Sequence, residues 1–244
     1  MELGVQCQHR LPRSYSALPQ LRRFTSRAGP HREAAAPSSP LVELQRNVRE
    51  VNHMAPHVLS AAVSNAGTSR LRNDALWRAY TQRAVSVGQQ FTMRDIRLTL
   101  QGYAEVSIRD QALFKKLAQY LQQRASSEIT PKSLCSVAVA FAKLQHADEF
   151  AYSWIAQQVL QRLDVLDPTE LGSLVNAFSR VSCCDAEFFD CIAVSFKMHL
   201  KNTPERVSPA AAALILNGFA VCSRSDVELW ESMLNTMVSP RISE

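Results

Sequence analysis

Aspartate recurs at a fixed interval along the second half of the chain, and aspartate is a residue type that can bind a divalent cation. The four members of this series are separated by 38, 37 and 41 residues: Asp110, Asp148, Asp185 and Asp226. Each is followed three or four residues later by apolar residues, such as Leu113 and Phe114 after Asp110. That order is typical of an N-cap, whose side chain accepts a hydrogen bond from the helix that it opens. The pattern therefore predicts four helix caps rather than a row of metal ligands.

A second set of polar residues has the types that contact RNA. Asn and Gln can pair with base edges, and Arg and Lys can hold phosphates. The candidates are Arg94, Arg97, Gln101, Lys132, Asn176, Arg180 and Asn217. Against this reading, residues 92–244 hold fifteen Lys and Arg and seventeen Asp and Glu, whereas non-specific affinity for nucleic acid comes mostly from cations that neutralise phosphates. The alternative is an ordinary solvated helix face.

Motifs of the common enzyme classes do not occur in the sequence. It has no Gly-rich phosphate loop, no G-x-S-x-G, no H-E-x-x-H, and only seven glycines from which to build such loops. His146 falls in a predicted turn and His199 late in a predicted helix, and we expect both to face solvent. The sequence thus predicts a protein that is not an enzyme, with no cofactor and no metal site.

The six cysteines fit neither a zinc site nor a disulfide framework. No C-x-x-C pair occurs, and the spacing of Cys183, Cys184 and Cys191 is not that of a zinc site. Without Cys7, which lies in the presumed leader, five cysteines remain, an odd number. We expect small buried apolar side chains in a reducing or mixed compartment, with redox or metal roles as the alternative.

All of these residues sit in an internal repeat of about 37–38 residues. Four units begin at a cap residue, which we number position 0: Thr92, Thr130, Asp167 and Ser208. Three of them continue with Pro, which favours the first helical position. Position 11 is aromatic in all four units, position 10 is Gly or Ala, and the aspartates described above occupy position 18. A weaker unit starts at Ala55, with Ala66 in place of the aromatic residue and Asn73 in place of the aspartate.

The repeat predicts an all-α fold. Apolar residues at positions 4, 8 and 11 form a stripe with the helical period of 3.6, and position 18 opens a second, antiparallel helix. Because neither helix can bury its stripe alone, neighbouring units must stack. We expect a right-handed α-solenoid of four to five helix-turn-helix repeats at 55–240, with units starting near 55, 92, 130, 167 and 208 and a lead-in helix at 41–54.

The amino-terminal residues 1–40 have the composition of an organellar transit peptide and a linker. Six arginines stand there among Ser, Ala and Leu, with only Glu2 and Glu33 as acids. Residues 22–26 resemble a processing site, and residues 34–40 are typical of a linker. We expect the mitochondrial matrix as the destination, with a plastid or a basic disordered tail as alternatives. No apolar stretch is long enough to span a membrane.

The units at Thr130–Leu144 and Asp167–Val181 resemble the helical-hairpin repeats of organellar RNA proteins. These are the octotricopeptide and heptatricopeptide repeats, the arrays of the Fas-activated serine/threonine kinase type, and subunits of the kinetoplastid RNA-editing substrate-binding complex. The resemblance covers about residues 55–238 and implies transcript processing, stability, editing or ribosome assembly. Its implied partners are single-stranded organellar RNA and other RNA-processing or ribosomal proteins. Many relatives carry a nuclease-like domain after the repeats, and that activity is not carried over.

A protein-binding scaffold is the alternative function. It would be a subunit of a mitochondrial ribosome or a respiratory-chain assembly that makes no direct RNA contact. The nearly neutral array and the small residues of the last first helix, such as Ala210, Ala211 and Ala213, favour this hypothesis.

Overall fold

The computed structural model describes residues 48–124 and 128–237, and within these ranges it contains helices and no strand. Besides a helical segment at 48–51, these ranges contain ten α-helices: α1 (Pro56–Thr68), α2 (Asp74–Val87), α3 (Met93–Val106), α4 (Gln111–Gln122), α5 (Pro131–Lys143), α6 (Glu149–Leu160), α7 (Pro168–Arg180), α8 (Ala186–Asn202), α9 (Pro209–Val221) and α10 (Val227–Met237). Consecutive pairs form five hairpins, which we number 1–5 in chain order, and each hairpin packs against the next. The predicted all-α solenoid of helical hairpins is confirmed.

Several sequence predictions fall wholly or partly outside the described residues. These are the transit peptide and linker at 1–40, most of the lead-in helix, of which only residues 48–51 are seen as helix, and the end of the array at 238–240. No helix within the described ranges is long and apolar enough to cross a membrane.

Cap residues open both helices of nearly every hairpin. Position 0 accepts a hydrogen bond from the backbone N–H three residues later in hairpins 2–5, at 2.8–3.3 Å. Ala55 has no side chain able to do so, and Pro56 alone marks the start of α1. The second helices open in the same manner at Asn73 and at the four recurring aspartates, at 2.8–3.1 Å. The aspartates are therefore caps, as predicted.

The turn between the two helices has the same backbone conformation in all five hairpins. Position 15 has a positive φ of 50–59° in each: Arg70, Ser107, Gln145, Ser182 and Ser223. The N–H of position 16 then donates to the carbonyl of position 11 at 2.9–3.2 Å, which is the Schellman pattern of hydrogen bonds. Left-handed backbone is unfavourable for residues with a Cβ, so the turn is maintained by the packing of the two helices that it joins.

His146 occupies position 16 of the third hairpin, and the expectation that it faces solvent is wrong. It is only 6% exposed and packs against the rings of Phe114 and Phe141. Its Nδ1 lies 2.6 Å from Oε1 of Gln111, while its Nε2 has no hydrogen-bond partner and is 3.9 Å from Asp148. The Schellman turn folds position 16 back onto the helix, where Leu71 and Ile108 stand in the first two hairpins.

His199 also departs from the expectation of a solvent-facing side chain. It is half-buried, and its Nε2 lies 3.1 Å from the carbonyl oxygen of Leu166 in the segment before α7. Because α8 extends for 17 residues, the longest helix described, its last turns reach back to the preceding hairpin.

Close packing of the first helices, α1, α3, α5, α7 and α9, depends on glycine at two of their four junctions. A Cβ on Gly102 of α3 would lie 2.5 Å from the carbonyl oxygen of Val63 in α1, and one on Gly67 would strike the backbone of Gly102. At the α7–α9 junction, a Cβ on Gly172 would lie 2.9 Å from the Ala211 oxygen, and one on Gly218 would strike Val175. These two junctions are much closer than those between α3 and α5 and between α5 and α7.

An aromatic ladder connects each hairpin to the next. In each hairpin, an aromatic residue follows the cap of the second helix by four positions. This residue packs on the ring at position 11 of the following hairpin. Ring centroids are 4.8 Å apart for Trp77 and Tyr103, 4.9 Å for Tyr152 and Phe178, and 5.3 Å for Phe189 and Phe219. Between hairpins 2 and 3, His146 contacts both rings. The aromatic residue at position 11 thus contacts the second helix of the preceding hairpin.

The expectation that the cysteines form no disulfide is wrong for one pair. Cys184 and Cys222 are joined by a disulfide, with their Cα atoms 5.5 Å apart. They lie in the turns of hairpins 4 and 5, and stacking of the hairpins brings together residues that are 38 apart in sequence. Cys135, Cys183 and Cys191 are free thiols. Cys135 is buried as expected, and burial raises its pKa to about 12.

We predict that Gly102→Ala lowers the free energy of unfolding by about 1–3 kcal/mol, the usual cost of overpacking. The added methyl group would meet the backbone carbonyl of Val63 in α1 as well as its side chain, and the backbone cannot move aside as a flexible side chain could. Chemical denaturation measures the change. Gln101→Ala, at the exposed neighbouring position, should change stability by less than about 0.5 kcal/mol. Equal stability of the two variants would contradict the close packing of α1 and α3.

We also predict that acid destabilises the protein through His146. Burial lowers the pKa of His146 in the folded chain, against the smaller opposing effect of Asp148. As the pH falls below the unfolded value of about 6.5, the unfolded chain takes up a proton that the folded chain does not, so the free energy of unfolding decreases. Urea denaturation between about pH 7.5 and 5.5 measures this slope. His146→Leu should flatten it, and an unchanged slope in that variant would contradict the prediction.

Candidate nucleic-acid interface

The first helices present one exposed stripe along the array. Positions 2, 6, 9 and 13 of these helices point away from the core, and their side chains are exposed or half-exposed in all five hairpins. Positions 4, 8 and 11 are buried in hairpins 2–4. We call the stripe the first-helix face. Because the first helices stack side by side, the same position in successive hairpins forms a row across this face.

A groove opens on the first-helix face between α3 and α5. It has a volume of about 350 Å³ and extends to Ser173 on α7. Arg97 and Gln101 of the predicted RNA-contacting set line it, opposite Ser136 and Lys143 of α5. Position 10 of the following first helix is Ala140 here, whereas it is Gly218 at the close α7–α9 junction. A Cβ at this position keeps the two helices further apart, and Arg97 lines the space between them.

The other predicted residues lie on the same face but not in the groove. Arg94 is exposed at position 2 of α3, and Lys132 occupies the same position of α5. Asn176 is half-buried and Asn217 exposed, and both share position 9 with Gln101. Arg180 is exposed at position 13 of α7. Six of the seven residues therefore lie on the first-helix face, and Arg97, at position 5, borders it; Arg97 and Gln101 line the groove.

Acidic residues neutralise some of the cations on this face. Lys132 pairs with Glu170 at 3.2 Å, and Lys143 pairs with Glu105 at 3.8 Å. Both pairs are partly exposed, so each contributes little to stability and can open when a phosphate competes for the lysine. The structure shows no ion pair for Arg94, Arg97 or Arg180 with any residue it describes.

Asp95 is a buried acid beside this face, but it has a structural role. Ser60 of α1 donates to Oδ1 at 2.5 Å, and the backbone and hydroxyl of Thr92 donate to Oδ2 at 2.9 and 2.7 Å. Burial raises the pKa of Asp95, but these hydrogen bonds outweigh it and hold the pKa below its usual value. The charged carboxylate thus caps α3 and fixes it to α1.

Sequence reasoning missed the other residues that line the groove, among them the polar or charged Glu105, Ser136, Lys143 and Ser173. A signal for Lys143 was present, since it occupies position 13, as the predicted Arg180 does. Ser136 and Ser173 both occupy position 6, and their proximity depends on how the two hairpins stack. Together with Arg97 and Gln101, they give the groove hydroxyl, amide and cationic donors, and the Glu105 carboxylate that also lines it pairs with Lys143.

One family model matches the chain, that of the RNA-editing substrate-binding complex 6 protein, over residues 43–220. The match spans the first four hairpins and nearly all of α9, so it includes the groove and every predicted contact residue. No curated protein matched at a significant level. Because the family match covers well over half of its length, the chain belongs to the RNA-editing substrate-binding complex 6 protein family.

Proposed function

We propose that this protein is a non-catalytic subunit of an RNA-editing complex that holds single-stranded organellar RNA on its first-helix face. The family supports membership of such a complex. The observation that carries direct RNA contact is the groove, where Arg97, Gln101 and Lys143 lie together on an exposed face of repeated polar positions.

Helical repeat proteins bind single-stranded RNA through side chains on one helix of each repeat. The row at position 9 consists of Ser64, Gln101, Val139, Asn176 and Asn217. Amide side chains at three of these five places can pair with base edges. Arg94, Arg97 and Arg180 flank that row and can hold phosphates. In this arrangement, the amide side chains are placed for RNA bases and the arginines for the RNA backbone.

The charge of the array limits how tightly it can bind alone. Three arginines on the face lack an acidic partner in the described structure, and two lysines have one. Each phosphate contact on a single strand contributes about 0.7 to the slope of log affinity against log salt. Three to five contacts therefore correspond to a moderate affinity. Other RNA-processing subunits of the complex would supply the rest.

A protein-binding scaffold without direct RNA contact is the second candidate function. It is favoured by the pairing of Lys132 and Lys143 with acids, which leaves part of the face neutral. It is also favoured by exposed apolar side chains on the second-helix side, where Val194 and Met198 line an apolar groove of about 610 Å³.

The protein's proposed location is the mitochondrial matrix, with a plastid as the alternative. The arginine-rich composition of residues 1–40 supports an organellar destination, and an RNA-editing complex is consistent with it. Fluorescence microscopy of the full chain with a carboxyl-terminal tag distinguishes the two organelles.

We predict that Arg94→Ala with Arg97→Ala weakens binding of a single-stranded RNA oligomer. The slope of log affinity against log salt should become shallower by about 1.4, because two phosphate contacts are lost. Fluorescence anisotropy at salt concentrations from about 50 to 300 mM measures it. The melting temperature should not change, since neither arginine makes a described hydrogen bond or ion pair.

The matched control is Lys115→Ala with Lys116→Ala, which removes the same charge from exposed positions of the second helix α4. This variant should retain the affinity and the salt slope of the parent. An equal loss in both variants would mean that only overall charge matters. No measurable binding by the parent, together with no RNA adduct after ultraviolet crosslinking in isolated organelles, would favour the scaffold.

A further inference from the structure

We propose that the end of the array formed by α9 and α10 docks a helical hairpin of a partner protein, stacked as a sixth repeat. We call this surface the end face. It comprises positions 5, 8 and 12 of α9, which are Ala213, Leu216 and Ala220, together with Trp230 and Leu234 of α10. The inference does not depend on the proposed RNA contact, which involves a different surface.

The junctions between neighbouring first helices within the array show which contacts these positions make when another hairpin follows. Position 8 of the first helix is buried at 0% exposure in each of hairpins 1–4: Val63, Leu100, Ala138 and Val175. At the glycine junctions, positions 5, 8 and 12 lie directly under the next first helix, as Gly172, Val63, Val175 and Gly67 do. In hairpin 5, Ala213 and Ala220 are exposed and Leu216 is half-exposed. These side chains are as small and apolar as those at the filled junctions.

The second helix of hairpin 5 is likewise incomplete. The aromatic residue of the second helix, which contacts the following hairpin, is buried in hairpins 1–4. Its exposure is 0–3% in these hairpins: Trp77, Phe114, Tyr152 and Phe189. Its equivalent in hairpin 5, Trp230, is half-exposed and makes no ring contact with another described residue. Four residues later, Leu234 is 59% exposed, whereas the equivalents Ala118, Ala156 and Ala193 are 2%, 7% and 1% exposed. Terminal repeats that end an array have a polar outer face, and this one is apolar.

The end face is held firmly in place. The disulfide Cys184–Cys222 joins hairpin 5 to hairpin 4, Arg224 pairs with Asp190 at 3.2 Å, and Lys197 contacts Asp226 at 3.3 Å. A rigid surface loses little conformational freedom when a partner binds. The disulfide and the two ion pairs thus hold Trp230 and Leu234 in position for a partner.

A second copy of this chain fits the end face poorly. Positions 10 and 11 are Gly or Ala followed by an aromatic residue in hairpins 2–5, and these residues receive the preceding hairpin. Hairpin 1 has Asn65 and Ala66 there, so it offers a larger polar side chain and no ring for Trp230. The proposed occupant is a hairpin of a different protein, whose first helix has a small residue followed by an aromatic one, because that pair is what the equivalent surfaces of hairpins 1–4 contact.

The test places the photoreactive residue p-benzoylphenylalanine at Leu234 of the full chain, in its own organelle, with the same substitution at Phe150 as the control. Phe150 is 84% exposed and apolar, but it lies on α6. Ultraviolet light should yield a protein adduct from position 234 in excess of that from position 150. Mass spectrometry should locate the crosslinked peptide in a helical hairpin of another protein that has the small-aromatic pair.

Two arginine substitutions make the test specific to stacking. Ala220 and Val221 are adjacent and both exposed, but position 12 lies at the junctions whereas position 13 belongs to the solvent-facing stripe. Ala220→Arg should reduce the crosslink from position 234 by about tenfold or more, as expected for a central contact, and Val221→Arg should not. The proposal is overturned by a crosslinked peptide from this chain itself, by a peptide without the small-aromatic pair, by no adduct above the control, or by equal effects of the two arginines.

Discussion

The close approach of neighbouring first helices is the constraint on which the rest of the structure depends. Where glycine stands at the junction, as Gly102 does under Val63, backbones come into contact and no groove remains. Where Ala stands in place of that glycine, as Ala140 does in α5, the helices lie further apart, and a groove lined by Arg97 opens on the exposed face. One repeated packing rule with a few changes of side-chain size thus decides where a ligand can bind and where the array is closed.

The regular features of this array follow from local rules, and local rules can be found in a sequence. Caps such as Asp110 and Asp148 satisfy the free N–H groups of one helix start, and the ring at position 11, as in Phe141, fills one inter-repeat space. These residues recur because each hairpin solves the same local problem. The number of helices, the cap positions and the aromatic positions were therefore predictable from the residues themselves.

Features that depend on contact between repeats were not predictable in the same way. The burial of His146 requires knowledge that the turn folds position 16 back, and the disulfide between Cys184 and Cys222 requires that two turns stack. The candidate site divides likewise. The residue types on one helix face were predictable, but Lys143 and Ser136 joined the groove only once α5 was placed beside α3. Three-dimensional register, not residue type, supplied that information.

The first and last hairpins that the structure describes are not equivalent, and this has a consequence for the proposed docking of a partner. Hairpin 1 lacks the ring that would receive a preceding hairpin, so the ladder begins there with Trp77 and runs in one direction. In hairpin 5, Trp230 and Leu234 occupy the positions that contact the following hairpin elsewhere in the array, but no described residue covers them. If the end face docks a partner hairpin as proposed, partners add in a fixed order and orientation. The first-helix face would then continue across the partner, and a subunit of modest charge would belong to a longer surface for the proposed RNA contact than it could form alone.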